Sequence, residues 1–273
     1  MIISSKYGFV FVHIPKCAGT SVRTFLQEFD DLDGTYTGRV ETHPELGLLD
    51  YVHIPLFVLR EYFEKDFNKV MTYHSYAVIR DPFSRFASSV SQRLNAYGNR
   101  PMHKMNLMDV KREISYIIDF LMAQPRHNHL LPAGYIHFQK QHDYIYLNEE
   151  RIVDKIYPVE KIGDLLGEVG HRVGRSFQTS EGNFSTLGNR SMVYRNNTVR
   201  SVIELTRPVT NLLSKTLPEN TKNYLRSKVY VPRDIRMREI FTADYVRDFI
   251  RKYYAEDIRL IDGLKKGCQE NIL

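Results

Sequence analysis

Lys16 is a residue that could do chemistry close to the N-terminus, set in the run HIPKCAGTS at 13–21 among small and hydroxylated neighbours. Ahead of it, Phe9 to Val12 is an unbroken apolar stretch rich in aromatic and β-branched residues, the pattern of a strand buried in a parallel sheet. Behind it, Thr20 and Ser21 are helix-capping types, and VRTFLQEF brings Val22, Phe25, Leu26 and Phe29 to one helical face. The order is strand, small-residue loop, helix N-terminus. Such a site suits an anion, because the free N–H groups of the first helical turn converge and the helix dipole adds partial positive charge. Lys16 would add a full charge. A Lys-x-x-Gly-Thr turn taken alone also fits a surface turn that binds nothing, so the rest of the chain must decide.

The elements that would position this loop repeat further on. Tyr76 to Ile79 is a second short apolar run, followed at once by Arg80-Asp81-Pro82 and then FSRFASSVSQRLNAY, with Pro82 at a helix start. Two strand–loop–helix units with their polar residues at strand C-termini predict an α/β fold: a P-loop-like three-layer domain whose central parallel sheet is flanked by helices, with the site along one sheet edge. Asp30 to Gly47 is polar and turn-rich and reads as an exposed connection containing Glu41 and His43. Pro55 opens a helix with Leu56, Leu59, Tyr62 and Phe63 at helical spacing, which leaves His53 in the loop just before it. Asp109 to Met122 is an amphipathic helix, and Lys155 to Val159 is a strand leading to a helix from Glu160 to Val173. Arg175 to Arg195 reads as a long loop. Val199 to Leu217 has helical spacing broken by Pro208, and Ala243 to Gly263 reads as one final helix.

Composition narrows the class. With 42% hydrophobic and 26% charged residues, the 273-residue chain is an ordinary globular protein, read as a single domain over 1–273. No apolar run approaches the roughly 20 residues that cross a bilayer, no signal-peptide pattern stands at the N-terminus, and Cys17 and Cys268 lie too far apart in sequence to suggest a disulfide. A cytoplasmic protein, in contact at most with the inner membrane surface, is therefore expected. The net charge of +6 is concentrated: residues 186–238 carry eleven Lys or Arg against three acids. This basic segment, part of a helical insertion at about 176–238, either attracts an anionic glycan or lipid headgroup surface or is a solvated helical face. No nucleic-acid-binding motif accompanies it. His127, His129, His137 and His142 cluster loosely without a standard zinc spacing, so no metal is expected.

HIPKCAGTS at 13–21 and VIRDPFSRFASS at 78–89 resemble the two nucleotide signatures of sulfotransferases that use 3′-phosphoadenosine 5′-phosphosulfate (PAPS). Their wording is closer to the carbohydrate O-sulfotransferase branch, with its uronyl 2-O-sulfotransferases, than to the aryl and steroid enzymes. The resemblance is strong over residues 8–95, weaker in DKIYPVEKI at 154–162 and YYAEDIRLI at 253–261, and not traceable through 176–238. It implies a 5′-phosphosulfate loop formed by Lys16, Cys17, Ala18, Gly19, Thr20 and Ser21, with Gly19 allowing close backbone approach. It also implies a 3′-phosphate site formed by Arg80 and Ser88, which have the family's separation of eight. On the functional reading of the basic segment, outside the traceable resemblance, Arg190 and Arg195 in the Asn-rich loop would close over the nucleotide.

The same resemblance implies sulfuryl transfer from PAPS to a hydroxyl, leaving PAP. Lys16 would neutralise the departing oxygen, and His53 would take the acceptor's proton, with Glu41 and His43 in reserve. A carbohydrate or glycolipid is the favoured acceptor and a lipid or small-molecule alcohol the second. A non-catalytic nucleotide- or polyanion-binding module is the competing class. A kinase is disfavoured because Lys16 precedes Gly19 instead of following a Gly-x-x-x-x-Gly loop. Cys17 replaces a common hydroxyl residue. Beside Lys16 and a helix N-terminus, its thiol is expected to have a lowered pKa and to be open to alkylation.

Overall fold

A computed structural model describes residues 1–97, 105–177, 192–194, 221, 230–232 and 240–270. The chain packs as two compact units, residues 1–179 with 241–273, and residues 180–240. In the first unit the elements run β1 (Ile2–Ser4), β2 (Phe9–Val12), α1 (Gly19–Leu26), β3 (Val40–His43), β4 (Gly47–Asp50), α2 (Leu56–Tyr62), α3 (Glu64–Thr72), β5 (His74–Ile79), α4 (Pro82–Tyr97), α5 (Leu107–Ala123), β6 (Tyr146–Leu147), β7 (Glu150–Arg151), β8 (Lys155–Pro158) and α6 (Ile162–Val173). The second unit contributes the antiparallel pair β9 (Met192–Tyr194) and β10 (Tyr230–Pro232). The first unit closes with α7 (Asp244–Tyr253) and α8 (Ala255–Glu270).

The central sheet has strand order β1-β2-β5-β8. Phe9–Val12 and Tyr76–Ile79 are buried residue by residue, as their continuous apolar pattern requires of strands covered on both faces. β2 and β5 pair in parallel, Phe9 opposite His74 and Val12 opposite Ala77, and β5 pairs in parallel with β8. The expected α/β fold, a mostly parallel sheet flanked by helices, is therefore present. β8 is tied in by a reciprocal pair: the Asp154 carboxylate accepts the Ser75 N–H, and the Ser75 hydroxyl accepts the Asp154 N–H, each at 2.9 Å.

Three local expectations change. Ile2–Ser4 turns back through Gly8, at φ +61°, to form an antiparallel edge on β2, so the sheet is not wholly parallel. The polar connection 30–47 leads into a hairpin, β3 on β4, with Val40 opposite Asp50 and His43 opposite Gly47. Its residues are largely exposed, so it lacks the buried alternation by which a strand is recognised. The single final helix breaks at Tyr254, whose ring is buried and whose hydroxyl donates to the Phe138 carbonyl at 2.9 Å. The reading of 199–217 as helical lies outside the described residues. Among the described residues no helix is long and apolar enough to cross a membrane.

The segment between α5 and β6 is irregular yet buried at Phe138, Gln139, Lys140 and Gln141, so its polar groups need partners. Asp257 on α8, fully buried, supplies them: it accepts the N–H of Gln141 at 3.0 Å and of His142 at 2.9 Å. It also faces Arg85 of α4, whose Nη2 lies 3.6 Å away, an ion pair too long to be a hydrogen bond. Arg85, 1% exposed, donates from Nη1 to the His137 carbonyl at 3.3 Å and stacks its guanidinium over Tyr254. Asp257→Ala would leave Arg85 an uncompensated buried charge and strip two N–H groups of their acceptor. The expected cost is about 3–5 kcal/mol, read as a lower urea midpoint; an unchanged midpoint would show that α8 docks independently of this carboxylate.

Candidate active site

The loop after β2 contains two non-glycine residues in the left-handed region, Lys16 at φ 62° and Ala18 at φ 59°. Each costs roughly 1–2 kcal/mol, so neighbouring contacts must hold them there. Cys17, between them, is buried, and its thiol donates to Gln141 Oε1 at 3.1 Å and approaches the Pro15 carbonyl at 3.5 Å. Gly19 opens α1 directly against the His13 ring. A Cβ added there would fall 2.0 Å from His13 Cδ2 and 2.1 Å from Nε2. In this structure, glycine is required by the histidine beside it.

Ala18 caps α1 without a side-chain hydrogen bond, and its carbonyl accepts the N–H groups of Ser21 at 2.9 Å and Val22 at 3.3 Å. The Gly19 and Thr20 amides, first in the helix, are the ones helix geometry leaves open. Thr20 is exposed and Ser21 is buried. The expected donor set therefore divides: Thr20 presents a hydroxyl outward, while the Ser21 amide is already engaged.

Arg80 follows β5 immediately, on the strand neighbouring β2, so the two loops leave the same sheet edge. Its backbone N–H donates to Gln141 Oε1 at 2.8 Å, and its Nη1 reaches the Lys16 carbonyl at 3.5 Å. Among the described residues its guanidinium has no carboxylate partner: Asp81 caps α4 through the Ser84 N–H, and Glu28 pairs with Arg175. Ser88 lies two turns into α4, half-buried. The adjacent Ser89 is buried and donates to the Arg85 and His137 carbonyls. Arg190 and Arg195 lie outside the described residues.

His53 ends a short 3-10 turn, Tyr51–His53, that Asp50 caps. One carboxylate performs two tasks: Oδ1 accepts the Val52 N–H at 3.0 Å, and Oδ2 accepts Nδ1–H of His53 at 2.9 Å. This bond assigns the ring proton to Nδ1 and leaves the Nε2 lone pair available. Burial pushes His53 below the usual imidazole range, the Asp50 bond and charge recover part of that shift, and the N-terminal ammonium and Lys16 lower it again. Burial acts to raise Asp50, but the bond and charge of His53 outweigh it and hold the carboxyl below its ordinary value. His53 is thus neutral at pH 7 and able to accept a proton.

Two further imidazoles pack on His53: His13 at a ring-centroid distance of 4.8 Å and His137 at 5.2 Å. The Nδ1 atoms of both are buried without a hydrogen-bond partner among the described residues. Burial and the charge of His53 depress both, with Lys16 also lowering His137, which reaches about 3. The four-histidine group noted in the sequence is not assembled as a site. His127 is exposed, His129 bonds Gln124, and His142 stacks on Tyr146. Instead Asp50, His53 and His137 bring one donor atom each within 4.8 Å of one another. Two imidazoles and a carboxylate could hold a transition metal. Here Asp50 and His53 direct that capacity at each other.

Glu41 and His43 are engaged elsewhere. Glu41 pairs with Arg39 at 2.8 Å, and His43 Nδ1 accepts the turn N–H groups of Glu45 and Leu46 while its ring packs on Tyr62 and Phe63. The chain matches the Sulfotransferase family over residues 1–262. It belongs to the sulfotransferase family. No curated protein and no solved structure matches it significantly.

Within this candidate site, Asp50 and Gln141 are not marked out by sequence, and His137 is noted there only as part of the loose histidine cluster. Asp50 had a usable signal: a carboxylate three positions before a loop histidine can both cap the turn and orient the ring. His137 and Gln141 come from the irregular buried segment, where no periodicity marks the inward side.

The expectation of a reactive Cys17 is overturned. Burial pushes its thiol up to about 12, and the nearby cations Arg85 and Arg80 do not offset that loss of solvation. Iodoacetamide at pH 8 should spare Cys17 in the native sulfotransferase and modify it only under denaturant, as peptide mass spectrometry would read; native labelling would mean that the loop opens.

The depressed imidazoles also carry a sign for stability. Unfolded histidines take up protons below pH 6.5, whereas His13, His53 and His137 resist protonation when folded, so their contribution is full above 6.5 and falls as the pH drops. Asp143, pushed up by burial to about 7, acts in the opposite sense over the same window. The informative comparison is therefore with His137→Gln: between pH 7 and 5 the variant's melting temperature should fall less than the wild type's, and parallel curves would remove His137 from the balance.

Proposed function

We propose that this sulfotransferase moves a sulfuryl group from PAPS to a hydroxyl of a carbohydrate or glycolipid and releases PAP. The observation that supports this most is the pairing of two cationic loops at one edge of the sheet with a neutral histidine whose Nδ1 is held by a carboxylate, which leaves the lone pair on Nε2. The Gly19 and Thr20 amides, the Thr20 hydroxyl and Lys16 would hold the 5′-phosphosulfate. Arg80, without a competing carboxylate among the described residues, would pair with the 3′-phosphate, with Ser88 as a further donor.

Sulfuryl transfer leaves little covalent work to the protein, so positioning and charge account for most of the rate. The acceptor oxygen forms a bond to sulfur as the bond from sulfur to the bridging phosphate oxygen breaks. The acceptor proton goes to His53 Nε2, and the charge growing on the PAP oxygen is met by Lys16. Asp50 keeps the ring in the accepting tautomer and stabilises the imidazolium that forms. The basic segment 186–238 fits an anionic acceptor or the surface that bears it.

Lys16→Ala should lower kcat by roughly 10²–10³ while changing PAP affinity much less, since its charge is needed most in the transition state. The base reading sets the pH profile. His53 must be unprotonated, so kcat/KM should fall on the acid side with an apparent pKa below 6.5; Asp50→Asn should move that limb to lower pH and reduce the rate. Transfer from labelled PAPS to a panel of glycans and alcohols is the deciding assay. Tight PAP binding with no transfer to any acceptor would favour a binding module. Turnover should survive exhaustive EDTA dialysis; a loss restored by one equivalent of Zn²⁺ would make Asp50, His53 and His137 a metal site.

A further inference from the structure

Gln141 occupies the point where the two loops meet. Its Oε1 accepts the Arg80 N–H at 2.8 Å and the Cys17 thiol at 3.1 Å. Its Nε2 donates to the Arg80 carbonyl at 2.9 Å and to Asp257 Oδ2 at 3.4 Å. The residue is wholly buried, and its own N–H is held by Asp257 as well. One amide therefore uses both acceptor and both donor positions, two of them gripping the backbone of Arg80 on either side of its Cα. A direct contact between the two loops, from Arg80 Nη1 to the Lys16 carbonyl, is long at 3.5 Å. The Gln141–Cys17 bond also anchors the one residue between the two left-handed positions of the first loop.

We propose that Gln141 is a specificity-determining positioning residue: by clamping the Cys17 loop to Arg80 it sets the separation of the two phosphate subsites, and so gives the protein its preference for an adenosine nucleotide phosphorylated at both the 3′ and 5′ positions. This rests on the reading of the two loops as the PAPS site. A doubly phosphorylated ligand engages both loops at once, and the second contact is effectively intramolecular. Its benefit depends on the two subsites being held at the matching distance beforehand. A nucleotide with a single phosphate engages one loop and is indifferent to that distance. The clamp therefore governs the ratio of the two affinities more than either affinity alone, a signature that general destabilisation does not share.

The test is isothermal titration of PAP, 5′-AMP and 3′-AMP against wild type, Gln141→Met, which keeps the side chain's length but none of its hydrogen bonds, and Cys17→Ala, which removes only the thiol bond. Thermal melts check that each variant is folded. In wild type, PAP should bind far more tightly than either monophosphate. In Gln141→Met the preference should fall by at least about tenfold, with the monophosphate affinities nearly unchanged, and in Cys17→Ala it should fall several-fold. If Gln141→Met does not fold, Cys17→Ala decides. A wild type that does not prefer PAP overturns the PAPS reading itself. A wild type that prefers PAP, with the preference intact in the folded variants or with all three ligands weakened equally, overturns the role of Gln141 alone.

Discussion

Parallel pairing of β2 with β5 is the constraint on which the site depends. Because the strands run in the same direction with Val12 opposite Ala77, the chain leaves both at one edge, and Lys16 and Arg80 must emerge there as neighbours. An antiparallel pairing would have sent the second loop to the far edge. Each strand is buried on both faces, which fixes its register through apolar packing and makes the position of the two cations a consequence of the core. The antiparallel addition of β1 covers the outer edge of β2 without disturbing that geometry.

A sheet edge that carries function must have an interior behind it, and here the interior is polar. Asp257, Arg85, Gln141 and Ser89 are all buried and connect α8, α4 and the irregular segment 124–145 through hydrogen bonds to backbone as much as to one another. Such a network gains little net stability, since each bond replaces one to water. Its value is directional: apolar packing would tolerate small slides of the segment, whereas backbone N–H groups aimed at one carboxylate do not. The Ser89 and Arg85 bonds to the His137 carbonyl extend that directionality to the imidazole cluster.

What could be read from sequence follows from this division. β2, β5 and their helices were legible because apolar patterning records burial, and the two loops were legible because small residues and cations at strand ends have few structural explanations. The β3–β4 hairpin escaped because an exposed hairpin has no buried face to record. Gln141 and the packing of His137 escaped because they depend on contacts across 61 residues to Arg80 and across 84 to His53, in a segment whose only regular pieces are short 3-10 turns. Cys17 shows a subtler failure. Its neighbours in sequence, a lysine and a helix N-terminus, argue for an acidic thiol, but the side chain points into the core and burial outweighs both.

The same exclusion of water acts in opposite directions on chemistry a few residues apart. For Cys17 it disfavours the thiolate and leaves a neutral thiol that donates a hydrogen bond; for His53 it disfavours the imidazolium and leaves a neutral ring that can accept a proton. What distinguishes the two is the partner. Cys17 faces an amide oxygen, which favours the protonated thiol, whereas His53 faces a carboxylate, which favours the cation once it forms. A base buried without Asp50 would be neutral but reluctant to take the proton; a solvated histidine paired with a carboxylate would hold its proton too readily at neutral pH. Burial opposed by the bond to Asp50 sets His53 between these limits, with Lys16 adding a small push against the cation.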